Sequence, residues 1–381
     1  MMDSKPIPVL LMVRELGIGG CERDLTKLAI GLDRSRFEPY VGCFLPHGLR
    51  TAELRENGIP IVKFNVPSFA SRAALRSARR IGQFIKAHGI QVVHAFDAPT
   101  DMFAVPVARL YRTPAVISSE LSYRSLIAGR QYQYLMRWSA MAAHKIVVNS
   151  AAVGTDLVEN ANVPRAKIVL SHNGVDLRAF APDPRVRKVF PGASLIIGAV
   201  CALRPEKRLD LLLEAFARIK DDVDGLRLLI VGSGPMLASL EQQARTLAID
   251  TFCHFEPSKT DVAEWMRSID VFVMSSESES FPNALLEAMA CGCCVIGSRV
   301  GGVPELISHE RNGLLFESRS GEDLAIQLRR VIHHPQLRHR LALDALRTAR
   351  QEFPIEAAIA RIQNLYLTLL KRLPPLSATV S

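Results

Sequence analysis

Long apolar runs are missing from this 381-residue chain. A membrane-spanning helix needs about 18 or more consecutive apolar residues, whereas the longest runs here lie in SLIIGAV and LLIVG. The opening MMDSKPIPVLLMV reads as the approach to a strand and not as a cleavable signal. A cytoplasmic location is therefore expected. Paired cysteines are lacking too: Cys21, Cys43, Cys201, Cys253, Cys291, Cys293 and Cys294 are odd in number and scattered, which argues against a disulfide framework. CGCC has no second Cys or His pair at ligand spacing, so buried thiols and no metal are expected there. Also absent is GxGxxG followed by an acid about twenty residues on. RELGIGGCERD supplies Gly17, Gly19 and Gly20, and VGSGPM supplies Gly232 and Gly234, so a nicotinamide-dependent oxidoreductase is a weak alternative.

Acidic residues are the minority charge. The formal balance is +9, so the surface attracts an anion of some kind: nucleic acid, acidic lipid headgroups or phosphorylated small molecules. In SRAALRSARRIGQFIKAHG, helical spacing puts Arg72, Arg76, Arg79, Arg80 and Lys86 on one face and Leu75, Ala78, Ile81 and Ile85 on another. That helix, expected over 71–88, is either a solvated outer face or a peripheral docking surface for an anionic membrane such as the inner face of the plasma membrane. Aromatic residues are not interleaved with these arginines, so a single-stranded nucleic-acid partner is not expected.

With 48% hydrophobic residues the chain can bury one large core or, better, two of ordinary domain size. Short aliphatic runs alternate with amphipathic segments: PVLLMV, EPYVGCF, IPIVKF, QVVHAF, PAVISS and KIVVNS, then SLIIGAVCAL, LRLLIVG, TFCHFE, DVFVMSS and CVIGS. Strand, helix, strand is the pattern of a parallel sheet. The stretch 172–193, rich in Pro and Gly, reads as an interdomain linker. The expected class is α/β, with two Rossmann-like doubly wound domains over 1–180 and 181–352 and a C-terminal helix over about 353–373 packing back on the first. Ligands in such sheets sit beyond the carboxyl ends of the strands, so a cleft between facing halves is the expected place for a reaction.

The loops at those strand ends carry the candidate chemistry. Glycines ahead of a helix allow an anion to approach unpaired amides and the positive end of the helix dipole; tight turns without a ligand explain them as well. ESFPNALLEAMACG opens a helix in which Pro282 suits the first turn and Ser280 is a candidate cap. Glu287 lies one turn beyond Asn283 among Ala284, Leu285, Leu286, Ala288 and Met289, where a carboxylate is costly to bury unless a partner such as a ribose diol hydrogen-bonds it. The alternative is an exposed helix edge, but Glu279 nearby suggests a ligand with a diphosphate centre and hydroxyls at both ends. ALRPEKRLD offers Arg204, Lys207 and Arg208 to neutralise a departing diphosphate without metal. The D-x-D at Asp222 and Asp224 reads as a solvated turn.

ESFPNALLEAMACGCCVIGSRVGGVPELI resembles the signature of the retaining glycosyltransferases of family 4, which have the GT-B fold. GIGGCERDL, SHNGVDLRAF, LRPEKRLDLLLEAF, LIVGSGP and SIDVFVMSS extend the likeness through most of the chain. The resemblance implies transfer of a sugar from a nucleoside diphosphate, UDP or GDP, to an acceptor hydroxyl, with no cofactor or metal. It implies that Glu279 meets the donor sugar and Glu287 the ribose. It also assigns Lys207 and the Gly19/Gly20 loop to the diphosphate, and Ser280, Phe281, Asn283 and Ala284 to sugar and phosphate. Two positions depart from the family pattern. Ala202 stands where an arginine is usual, with Arg204 two residues on as a substitute along an extended strand. Glu120 stands where a histidine is common; a carboxylate cannot donate as neutral His does, so Glu120 either positions the acceptor hydroxyl, takes its proton or is structural. The arginines of 71–88 and of SYRSLIAGRQYQYLMRW make a lipid-linked or polysaccharide-precursor glycan the expected acceptor. A basic nucleotide- or nucleic-acid-binding protein is the remaining alternative, one that has no use for Glu279 or Glu287.

Overall fold

A computed structural model describes residues 5–17, 19–66, 71–124, 130–183, 190, 192–257 and 262–372. The chain divides into two compact units, one made of 1–172 and 356–381, the other of 173–355.

The first unit runs β1 Ile7–Glu15, α1 Gly20–Gly31, β2 Phe37–Leu45, α2 Arg50–Glu56, β3 Ile61–Lys63, α3 Arg72–Ala87 and β4 Val92–Ala95. It continues with α4 Ala98–Leu110, β5 Ala115–Glu120, α5 Arg130–Ala142, β6 Lys145–Val148, α6 Ala151–Glu159 and β7 Ile168–Leu170. The strands form a seven-stranded sheet in the order β3-β2-β1-β4-β5-β6-β7, and every pairing is parallel. A parallel sheet is covered on both faces, which is why Val9 to Val13 are consecutive buried apolar residues without alternation. Right-handed crossovers carry α3, α4, α5 and α6 over one face.

In α3 the Ser71 hydroxyl caps the helix by accepting from the Ala74 amide at 3.1 Å. The buried stripe is Ala74, Ser77, Ile81, Gly82 and Ile85. Leu75, expected on the apolar face, is instead 73% exposed. It is one helical step, about 100°, away from Ala74 and shares its surface with Arg72 and Arg79.

The second unit contains β8 Leu195–Val200, α7 Leu209–Ala217, β9 Leu226–Val231, α8 Leu237–Thr246, β10 Cys253–Glu256, α9 Ala263–Arg267 and β11 Val271–Met274. After these come α10 Asn283–Cys291, β12 Cys294–Ser298, α11 Val303–Leu306, β13 Leu314–Phe316, α12 Gly321–His333 and α13 Pro335–Glu352. The six-stranded sheet has the order β10-β9-β8-β11-β12-β13, again wholly parallel. Residues 173–180, inside the expected linker, pack here: Val175 is buried, exchanges backbone hydrogen bonds with Phe353 and Ile355, and Phe180 joins the same core. Pro and Gly obscured the period there, but Val175, Leu177 and Phe180 supply enough apolar surface to order the segment. Asp222 is more than a solvated turn residue, since it accepts from Arg329 Nε at 2.9 Å and faces His333 Nε2 at 3.3 Å.

The final helix, α14 Ile355–Arg372, belongs largely to the first unit. Tyr366, fully buried, meets His94 of β4 through its hydroxyl and Nδ1 at 2.7 Å, and His94 Nε2 meets Ser119 Oγ of β5 at 2.7 Å. A Cβ on Gly31 would fall 2.2 Å from Ile359 Cδ1, so glycine lets α1 and α14 approach. Burial lowers the His94 pKa from 6.5 to about 3. As pH falls below 6.5, the unfolded imidazole takes a proton that the folded one refuses until about pH 3. The contribution is therefore whole above 6.5 and drains by about 1.4 kcal/mol per pH unit below it. Asp101, shifted the other way, opposes part of this loss, because an acid whose pKa rises on folding gains stability as the pH falls. Urea melts at several pH values are expected to show a steeper loss of stability on acidification in the wild type than in His94→Gln. Equal slopes would remove His94 from the acid response.

Candidate functional site

Strand order reverses between β8 and β11, so the loops leaving these two strands diverge around a crevice, the usual ligand position in a doubly wound sheet. The β8 loop, Cys201 to Arg208, ends in a 3-10 turn over Pro205–Lys207, and Arg208 adopts a left-handed conformation with φ +48°. A bidentate grip on Asp210, Nε to Oδ1 at 3.0 Å and Nη2 to Oδ2 at 2.8 Å, stabilises that turn. The β11 loop, Ser275 to Pro282, is tied to it by the Glu277 amide donating to Glu206 O at 2.9 Å and by Ser275 Oγ donating to Lys207 O at 2.8 Å.

These ties bring together two side chains 72 residues apart in sequence: Lys207 Nζ donates to Glu279 Oε1 at 2.6 Å. Ser276 Oγ donates to the same oxygen at 2.6 Å, and the Gly302 amide holds the Glu279 carbonyl at 3.1 Å. Burial works against the charged form of Lys207, but the Glu279 carboxylate outweighs it and leaves the pKa above the ordinary lysine value. The pair is largely sheltered, with side-chain exposures of 22% and 11%, so its charges are screened less than a surface pair's.

The helix α10 starts beyond this pair. Its N-cap is Pro282 and no side chain caps it, which corrects the expectation that Ser280 would. Pro282 stands at the cap instead of in the first turn, and Gly292 closes the helix at φ +83°. Asn283 Oδ1 accepts from Asn173 Nδ2 at 3.1 Å. Glu287 lies on the buried side of α10 at 3% exposure, so the exposed-edge alternative for it does not hold. Phe281 points into the core, 4% exposed, with its ring 5.7 Å from that of Phe353, while Ser280 and Ala284 are partly buried.

Arg204 is not drawn into the pair. It is 65% exposed, with Nη1 4.0 Å from Glu206. The expected extended strand ends at Val200, and the Arg204 amide donates to Ala202 O at 2.9 Å in a three-residue turn. The glycines of VGSGPM have a structural task. A Cβ on Gly232 would lie 1.9 Å from Cys201 O and one on Gly234 2.4 Å from Leu203 O, so they allow the β9 loop to press on the β8 loop.

In the first unit Gly19 is the N-cap of α1 and Gly20 its first residue, and a Cβ on Gly17 or Gly20 would meet nothing within 4 Å. Glu120 ends β5, 5% exposed, and forms an ion pair with Arg124, which is equally buried. Asp101 of α4, 2% exposed, is pushed well above the usual carboxylate range by burial and then by the charge of Glu120. Two acids and one guanidinium thus share a dry site, which disfavours the charged form of Asp101. Among the described residues no group of three His, Cys, Asp or Glu side chains is placed to hold a metal ion, and no helix is long and apolar enough to cross a membrane.

Residues 183–347 match the family model of Glycosyl transferases group 1, and residues 18–179 match that of Glycosyltransferase Family 4. The chain belongs to the family 4 glycosyltransferases. Among curated relatives, N-acetyl-alpha-D-glucosaminyl L-malate synthase of Bacillus anthracis is 34% identical over 212 residues, 55% of each chain. The chain spans about half the length of the curated relatives it matches. Solved structures share the fold across nearly all of it. Anabaena Alr3699/HepE in complex with UDP has a TM-score of 0.84 at 22% identity, covering 95% of this chain and 100% of that one. A glycosyltransferase of Rickettsia africae ESF-5 has a TM-score of 0.86 at 20% identity, covering 97% and 100%. The two parallel-sheet halves are those of the GT-B fold.

Sequence reasoning missed Ser276 and Asn173 as parts of this site, and Arg208, expected to help neutralise a diphosphate, is engaged by Asp210. Ser276 lies three residues before Glu279, close enough for a local hydrogen bond, but a serine in a loop carries no period to betray it.

Proposed function

We propose that this family 4 glycosyltransferase transfers a sugar, with retention at the anomeric carbon and without metal, from a nucleoside-diphosphate sugar to a hydroxyl of a glycan or lipid-linked acceptor. The observation that carries this reading is the Lys207–Glu279 pair, 2.6 Å apart at the switch point of the second sheet. Lys207 faces the diphosphate, the start of α10 supplies amides and the positive end of its dipole, and Glu279 turns its carboxylate to hydroxyls of the donor sugar. Glu287 takes the ribose. Arg204, exposed and only loosely paired, is free to swing onto phosphate oxygens. Gly19 and Gly20 offer a second anion-facing helix start in their own unit.

The bond from the anomeric carbon to the diphosphate oxygen breaks while the acceptor oxygen attacks from the same face. The acceptor's proton passes to the departing phosphate. The protein orients both partners and stabilises the developing negative charge. Glu120, engaged by Arg124, suits positioning better than proton abstraction. A lipid-borne acceptor and peripheral contact with an anionic membrane are supported by the exposed arginines of α3.

The test is hydrolysis and transfer screened over UDP- and GDP-sugars with an excess of chelator. UDP comes first because the similar Anabaena protein was crystallised with it. Turnover of one donor, unchanged by EDTA, is expected. Absence of turnover with every donor, or its abolition by chelator, would overturn the reading.

A further inference from the structure

Helix α5 carries a surface that the proposed transfer does not use. Tyr134, Trp138 and Met141, at i, i+4 and i+7, are 74%, 70% and 49% exposed, and Leu135 beside them is 46% exposed. They stand opposite Met136, Ser139 and Ala140, which face the core. Among the described residues no other element exposes so many large apolar side chains. Singly exposed apolar residues are ordinary, but a contiguous stripe of this kind marks an interaction face.

We infer that α5 is the anchor by which this protein sits on an anionic phospholipid bilayer, with Tyr134 and Trp138 at the level of the headgroups. This rests on, and sharpens, the peripheral contact read above from α3. Three features favour a lipid surface. Tyr and Trp join an apolar body to a polar tip and collect at the membrane–water boundary. The charge is complementary: the chain is +9, Arg137 lies within the stripe, and α3 and α5 both pack on α4 in one layer, where α3 exposes Arg72, Arg76, Arg79 and Arg80 around Leu75. Finally, a cavity of about 390 Å³ opens beside Tyr134, where Gln133, Arg137, Asp156, Asn160 and Asn162 line it. It has room for a phosphate-bearing headgroup: Arg137 and the amides match phosphate oxygens, and the Asp156 carboxylate matches a glycerol hydroxyl.

The sequence has two tryptophans, so Trp265→Phe leaves Trp138 as a single reporter on α5. This protein is mixed with vesicles of phosphatidylcholine alone or with an equal share of phosphatidylglycerol. With the anionic vesicles, Trp138 emission is expected to move to shorter wavelength and to resist acrylamide quenching. Cosedimentation with the same vesicles is expected to fall about tenfold or more in Tyr134→Ala/Trp138→Ala, made with Trp265 intact, and to fall with added salt. Both substitutions are at exposed sites, and an unchanged thermal melt confirms folding. If vesicle binding is lost in Arg79→Glu/Arg80→Glu while Trp138 emission never moves, the anchor role of α5 is overturned and the α3 contact stands. Binding to neither vesicle overturns both, leaving the transferase reading untouched. A dimer that forms without vesicles and dissolves in Trp138→Ala shows that a second copy covers the stripe, which also overturns the inference.

Discussion

Glu279→Ala is expected to lower donor turnover by about 10²–10³-fold while leaving the fold intact. In the second unit Glu279 accepts from Lys207 Nζ and Ser276 Oγ, both at 2.6 Å. Its removal deletes the acceptor proposed for the donor sugar's hydroxyls and leaves Lys207 as a sheltered cation without its nearest counter-charge. Loss of one preorganised group aimed at a developing charge costs on this scale in other enzymes. Lys207 loses the influence that raises its pKa, so part of its positive charge should titrate away at lower pH than in the wild type. Glu279→Gln, which keeps a hydrogen-bond acceptor for Lys207 and Ser276, is expected to fall between. Steady-state kinetics on the donor identified by the screen checks this. Near-normal turnover in Glu279→Ala would remove the residue from the mechanism.

Arg124→Met is expected to have the largest effect on stability, a loss of about 3–5 kcal/mol. Glu120 and Arg124 are each 5% exposed and paired, so the substitution strands a carboxylate in a dry site already shared with Asp101. Removing one partner of a buried pair costs far more than the pair's net contribution, because the remaining charge has no water. The double variant Glu120→Gln/Arg124→Met is therefore expected to regain much of the loss. Urea denaturation of the four proteins in the cycle measures this. An Arg124→Met protein within about 1 kcal/mol of wild type would show that the pair is solvated after all. Transfer by Glu120→Gln with Arg124 intact then addresses the other role: near-normal turnover would remove Glu120 from acceptor positioning.

Both sheets were legible because buried parallel strands leave consecutive apolar runs, as in PVLLMV and DVFVMSS. Two edge strands were not: β7 and β13 have three residues each and no longer aliphatic run around them such as IPIVKF gives β3. Helix α6 contains Gly154 and Thr155, which weaken its helical pattern, and in α5 the arginines are plain in the sequence whereas the exposure of its aromatics depends on the fold. Chemistry was legible where charge stood out against apolar surroundings. Glu287 in an aliphatic helix and Glu279 ahead of it were conspicuous, and both are sheltered in the fold. What pattern could not reach was the tertiary company they keep. Gly232 and Gly234 read as anion-facing amides or turns, yet their missing side chains make room for the Cys201–Leu203 backbone. Spacing places Arg204 along a continued strand, whereas the strand stops at Val200. His94, Ser119 and Tyr366 carry no motif, and 272 residues separate the ends of that network.

The central claim is that Lys207, beside Glu279 and the start of α10, grips a nucleoside diphosphate. Calorimetric titration of UDP and GDP into the full chain, with EDTA present, tests it most directly. One nucleotide should bind the wild type and bind Lys207→Met at least about tenfold more weakly, the change expected when a charge-assisted contact to phosphate is lost. Equal affinity in the two proteins, or no binding of either nucleotide to the wild type, would contradict it.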